Sequence, residues 1–265
     1  MLTLLGSRRE QLMLQTRIGY ELAQDDTEAR RLALIVLRTD RTIEGEVRSS
    51  LPTLQPVSLY HSRIFNDFEI SAATLEAMSD LLQPTAALIP AEFKPHVVAY
   101  GCTSATMLLG EQRVASIIRQ AHPGVHVTEP VTACIAACRS LGMKKIKLVT
   151  PYESTVNRKI VDGLRARGLD VDSVVSFEEP DDLKVGAIST NSVVEAAVHA
   201  GGGVKPDVDG VFISCTTLPT FSAIPIIERL TGKPATSSNH ALAWHMQKLA
   251  GIKKFQGSLG RLYAD

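Results

Sequence analysis

The chain lacks a net charge: Lys plus Arg and Asp plus Glu each count 28 in 265 residues. Without a basic surplus there is no long-range field to gather nucleic acid or an anionic membrane, so neither is an expected partner. It also lacks any apolar run near the about 20 residues that a membrane-spanning helix needs. The apolar stretch in "MLTLLGSRREQLM" is short and its arginines follow it, unlike a secretory signal, so the expected location is cytoplasmic. Cysteine is scarce. The four present, Cys102, Cys134, Cys138 and Cys215, would stay reduced in that compartment, which sets aside a disulfide framework and asks of each whether it is packing, metal ligand or reactive group. A Gly-x-Ser-x-Gly elbow and a His-Glu-x-x-His helix are both missing, against a serine hydrolase and a zinc helix. The "GGG" at 201–203 follows a helical pattern and precedes a loop, so it reads as a helix stop and not as a dinucleotide fingerprint.

What remains is a chain able to bury a large core, with 45% hydrophobic and 21% charged residues, too apolar for disorder to dominate. Strand patterns alternate with helical ones. "RLALIVL", "VSLYHSRI", "HVVAY", "GVHVTEP", "KIKLVTP", "LDVDSVVSF", "GVFIS" and "KPATSS" read as strands. Between them "TIEGEVRSSL", "SAATLEAMSDLL", "EQRVASIIRQA", "VTACIAACRSLG", "STVNRKIVDGLRARG", "NSVVEAAVHAGG", "IPIIERL" and "ALAWHMQKLAG" carry helical periodicity. Such alternation calls for parallel sheets covered by helices on both faces.

The spacing repeats. Leu32 in the first strand maps onto Ile146 and Val57 in the second onto Val171 at a separation of 114 residues, and Cys102 maps onto Cys215 at 113. The expected fold is therefore α/β with two similar lobes, each an open four-stranded parallel sheet of flavodoxin-like type, related by a pseudo-twofold axis. Residues 31–127 with 240–265 would form lobe 1 and residues 128–239 lobe 2. The leader at 1–30 has no counterpart in the second half and is expected to be a helical arm for contacts in a homo-oligomer. Ligands of open parallel sheets bind beyond the carboxyl ends of the strands. Two lobes facing across a cleft would bring Cys102 and Cys215 to opposite sides of one small molecule.

A thiol has an unperturbed pKa of about 8.5, close enough to neutrality for modest stabilisation to supply a thiolate. Both cysteines read as preceding a helix start, which favours the anion, and Thr103, Ser104, Thr216 and Thr217 can donate to a thiolate or a substrate carboxylate. One thiolate and one thiol across a flat carbon can take a proton from one face and return it to the other.

"GCTSAT" around Cys102 and "SCTTLPT" around Cys215 resemble the paired cysteine motifs of the aspartate/glutamate racemase superfamily. "LVTPYESTVN", with Tyr152, and the closing "GRLYAD" resemble its branch of maleate cis-trans isomerase and arylmalonate decarboxylase. That resemblance implies a cofactor-independent racemase or isomerase acting on a small carboxylate or amino acid, with no metal. It implies that Cys102 is the nucleophile or base and Cys215 the proton donor or opposing base. Thr103, Ser104, Thr216 and Tyr152 match carboxylate-binding positions. The decarboxylases have glycine at the place of Cys102, which argues against decarboxylation, although a malonate-type decarboxylase and a two-lobed carboxylate-binding protein without turnover stand as alternatives. Asp40 departs from the pattern, since the maleate isomerases carry asparagine there. An ionised Asp40 would oppose a dianion by about 4 kcal/mol at 4 Å and an effective dielectric of 20. A substrate ammonium would reverse that sign, and Arg38 would offset the charge if it pointed inward.

Other candidates read as structure. Cys134 and Cys138 share an apolar helix face and Trp244 is expected in the core. His240, at a strand-to-helix junction, either reaches the cleft or packs, and His245 fits no zinc pattern. The acidic run Glu178, Glu179, Asp181, Asp182 reads as a solvated loop.

Overall fold

The strand Arg30–Leu37 (β1) buries Leu32 through Leu37 in succession, because each face of its sheet is covered by helices. Leu32, Leu34 and Val36 point into one helical layer, and Ala33, Ile35 and Leu37 into the other, following the two-residue period of a strand. The computed structural model describes residues 17–22, 29–67, 72–252 and 259–264. Residues 17–22 carry no helix or strand, and the rest of the expected arm, apart from Ala29 and Arg30, lies outside the described residues.

The first sheet joins β1 to Val57–Ile64 (β2), Val97–Gly101 (β3) and His126–Thr128 (β4) in the order β2-β1-β3-β4, all parallel. The second joins Lys145–Thr150 (β5), Asp170–Ser176 (β6), Gly210–Ile213 (β7) and Ala235–Ser237 (β8) in the matching order β6-β5-β7-β8. Leu32 pairs with Leu59 and Val97, while Ile146 pairs with Val171 and Gly210, so the inferred duplication is a duplication of sheets.

The helices are Ile43–Ser50 (α1), Ala72–Ala87 (α2), Thr103–Leu109 (α3), Glu111–Ala121 (α4), Pro130–Ser140 (α5), Ser154–Ala166 (α6), Asp182–Val185 (α7), Thr190–Val198 (α8), Ile224–Thr231 (α9) and Ser238–Leu249 (α10). α2 runs beyond its expected end and through Pro84, held by the buried Leu82 and Ala86 on its core face. After α8 the chain stops on Gly201, Gly202 and Gly203, all at positive φ, which suits glycine alone at no steric cost. α10 follows the second sheet yet packs on α1 and β3 of the first, and α5 lies against it with Ala133 and Ala137 in that core. The opposite edge of α5 places Cys134 and Cys138 in the second-sheet core, Sγ atoms 3.9 Å apart. Trp244 is also core, as expected.

Candidate active site

Each cysteine lies where the third strand of its sheet stops: Cys102 directly after β3 and Cys215 two residues beyond Ile213. This is the carboxyl end, the ligand side of an open parallel sheet. Gly101 precedes Cys102 because α1 leaves no room for a side chain: a Cβ there would lie 2.9 Å from Ile43 Cδ1 and 3.3 Å from the Ile35 carbonyl oxygen. The Gly101 carbonyl accepts from Thr216 Oγ1 at 3.3 Å, which fastens the Cys215 loop to the Cys102 strand.

Tyr152, beyond the end of β5, is the group the two thiols share. Its hydroxyl lies on the side of Cys215 and lowers the cost of charge on that sulfur. Burial first, and then the sulfurs of both Cys215 and Cys102, hold its pKa well above the phenol range, so it stays a donor at neutral pH.

Cys102 caps α3. Its Sγ accepts from Ala105 N at 3.4 Å, with Ser104 Oγ at 3.7 Å and the Tyr100 hydroxyl also directed at the sulfur. Cys215 heads no helix, contrary to expectation, because residues 214–223 form turns until α9 begins; its sulfur takes the Thr217 N–H and the Tyr152 hydroxyl. Burial outweighs these donors and pushes Cys102 up to about 11 and Cys215 to about 12, with Asp182 adding to both. The expected helix-terminus thiolate is therefore not formed at neutral pH: both are thiols.

The remaining expected site residues divide. Asp40 is 1% exposed; its Oδ1 accepts from Thr42 N at 2.7 Å and Ile43 N at 3.0 Å at the start of α1, while Oδ2 has no partner among the described residues. Burial raises its pKa to about 6. Thr216 lies beside it, with its carbonyl accepting from Asn239 Nδ2 at 2.7 Å. The Thr217 carbonyl accepts from Thr42 Oγ1 at 2.7 Å. Ser104 is half-buried beside Cys102. The Thr103 hydroxyl is committed to Ser238 Oγ at 3.0 Å, which leaves its N–H in the first turn of α3 as the donor it can offer.

His240 does not serve the cleft. Its Nδ1 meets Thr236 Oγ1 at 3.1 Å, its Nε2 the Leu259 carbonyl at 2.8 Å, and the ring packs against Phe221 and Tyr263; burial lowers its pKa to about 4. His245 Nδ1 bonds Thr128 Oγ1 at 2.7 Å. Arg38 is exposed, its guanidinium 3.8 Å from the Phe65 ring centroid and its Nε donating to the Asn66 carbonyl.

One acidic residue was misread. Asp182 is not solvated: it is 5% exposed, opens α7, and accepts from Thr39 Oγ1 of the first lobe, a hydroxyl that also receives Asn66 Nδ2 at 3.0 Å. Its charge bears on Cys102, Cys215, Tyr152 and Asp40. It lies in the segment after the second strand of its sheet, as Asn66 does in the first, two residues from the position the 114-residue repeat assigns.

Fold and site together define a class, the enzymes of the maleate isomerase and arylmalonate decarboxylase branch. Residues 71–263 match the family described as arylmalonate decarboxylase, and the chain belongs to that family. It is 25% identical to the maleate isomerase of Geobacillus stearothermophilus over 245 residues, which is 88% of this chain and 96% of that protein. The arylmalonate decarboxylase of Bordetella bronchiseptica is 32% identical over 143 residues, 54% of this chain and 59% of that one. A solved Nocardia farcinica maleate cis-trans isomerase, a cysteine-to-serine mutant with a covalently bound succinylcysteine intermediate, superposes with a TM-score of 0.81 at 25% identity, covering 89% of this chain and 99% of that one. Among the described residues no helix is long and apolar enough to cross a membrane.

Proposed function

We propose that this isomerase acts without a cofactor on a small carboxylate, using Cys102 and Cys215 as the acid and base on opposite faces of the reacting carbon. The observation that supports this reading is the place of the two cysteines at matching strand ends of the duplicated sheets, with the Cys215 loop fastened to the Cys102 strand by Thr216 Oγ1 on the Gly101 carbonyl and Tyr152 electrostatically coupled to both sulfurs. The N–H groups of Thr103 and Ser104 are the donors for the substrate carboxylate, and the Tyr152 hydroxyl joins them when it turns from Cys215 to the ligand.

Cys102 caps α3 and accepts a backbone N–H there, so it is the sulfur assigned to lose its proton, to water, before the cycle begins. As thiolate it takes a proton from the carbon beside the carboxylate, and the Cys215 thiol returns one to the opposite face; the sulfurs exchange states and the product is the mirror-image centre. A second version is favoured by the succinylcysteine in the Nocardia relative. There the Cys102 thiolate adds to a carbon–carbon double bond, the Cys215 thiol protonates the neighbouring carbon, the new single bond rotates, and the Cys215 thiolate takes a proton back from that carbon as the Cys102 thiolate is expelled.

The test is turnover of a panel of small carboxylates, followed by proton NMR in deuterium oxide. Cys102→Ser and Cys215→Ser should each lose at least about a thousandfold in turnover, within the range of an acid–base group, with melting temperature little changed. Deuterium at the substrate carbon marks the first version and its near absence the second. Wild-type turnover in either variant, or carbon dioxide release that survives Cys102→Gly, contradicts the proposal.

A further inference from the structure

Two buried carboxyl groups, one following a strand of each sheet, are tied to the Cys215 loop and to each other's segments: Thr42 donates its N–H to Asp40 and its hydroxyl to the Thr217 carbonyl, Thr39 donates to Asp182, and among the described residues neither acid meets a cation. Asp40 belongs to the loop after β1 and Asp182 to α7 after β6, and each bears on the electrostatics of Cys215. The nearest arginines are spent elsewhere. Arg41 turns Nη2 to the Leu183 carbonyl at 3.4 Å, Arg38 lies over Phe65, and Arg63 Nη1 donates to the carbonyls of Leu37, Arg38 and Asp40, which fixes the Asp40 loop without touching its carboxylate. Lys184 lies 4.0 Å from Glu179.

The independent sign of a ligand is which atoms lack partners. Asp40 Oδ2 and Asn66 Oδ1 are both buried acceptors with no hydrogen bond among the described residues, in side chains 1% and 7% exposed. Asn66 is tied through Thr39 to Asp182, and Thr39 adjoins Asp40 in the chain, while the Thr216 hydroxyl beside Asp40 is given to the Gly101 carbonyl. A buried acceptor without a donor costs roughly 1–3 kcal/mol. A plain dicarboxylate brings more acceptors and two more negative charges; a nitrogen bearing N–H groups brings donors and, as ammonium, the opposite charge.

Resting on the active-site reading above, we propose that Asp40 and Asp182 select a small carboxylate that also bears an ammonium group, an amino acid in the broad sense, and select against a dicarboxylate dianion. The same ammonium would serve the chemistry, since a cation placed among Asp40, Asp182 and the thiols favours the thiolate that both acids oppose.

The experiment is calorimetric binding of D- and L-aspartate, D- and L-alanine and β-alanine against maleate and succinate, to wild type, Asp40→Asn and Asp182→Asn. Asparagine keeps the Oδ1 acceptor for Thr42 and Ile43 and the acceptor for Thr39, and melting curves verify the folds. At least one amino acid should bind wild type tenfold or more tighter than either dicarboxylate, and each substitution should narrow or reverse that ratio at least tenfold. A dicarboxylate bound as well as or better than every amino acid, or a ratio that neither substitution moves, overturns the selection. Such a result leaves the thiol reading to its own test, because Cys102→Ser and Cys215→Ser abolish turnover whichever ligand class binds.

Discussion

The two cysteine loops occupy equivalent places in duplicated sheets but are built differently. Cys102 caps a helix and draws on a backbone N–H and two hydroxyls, whereas Cys215 sits in a run of turns and depends on Tyr152 and one N–H. The first is held at about 11 and the second at about 12, with burial the main cause in both. A repeated fold thus supplies two buried thiols whose surroundings are unequal. The inequality is carried by side chains outside the strands.

Removing those side chains one at a time sharpens the contrast. Tyr152→Phe takes the hydroxyl donor from Cys215 and a neighbour from Cys102, and a lost donor to a developing charge is worth up to about 100-fold in rate. Ser104→Ala touches only Cys102, across a longer 3.7 Å contact, and should cost severalfold at most. Steady-state kcat/KM for the pair checks the order; equal losses would mean the two loops are not divided in this way.

The smallest effect concerns the brace between the lobes. Glu46 of α1 accepts from Thr220 N at 2.6 Å and Phe221 N at 2.8 Å with Oε1, and from Asn239 Nδ2 at 2.8 Å with Oε2. Burial raises its pKa from 4.5 to about 7, so the folded protein holds that proton more tightly than the unfolded chain. Its contribution to stability is complete below about pH 4.5 and is lost as pH rises through about 7. Between pH 5 and 8 the wild-type melting temperature should therefore fall more steeply than that of Glu46→Gln. Parallel curves would place the raised pKa in doubt.

Strand positions and the duplication of the sheets were legible because parallel strands buried on both faces write themselves as unbroken aliphatic runs, "RLALIVL" being the clearest. Cys102 and Cys215 were legible because each ends such a run. Asp182 was not, since a charged cluster looks the same in sequence whether it faces water or a partner lobe 143 residues away. The effect of burial on the thiols was hidden for a related reason: local sequence shows a helix cap for Cys102, but not how deeply the core of its own sheet buries it. His240 could be settled only by contacts from Leu259 and Phe221, distant in the chain.

The central claim, that one small molecule lies between the two sulfurs, is tested most directly by the stoichiometry of carboxymethylation with iodoacetate, read on intact chains and by peptide mapping. A shared site takes one group: each chain should carry it on Cys102 or on Cys215, with doubly modified chains far rarer than independent reaction would give. Chains modified at both positions at the frequency of two independent events would contradict it.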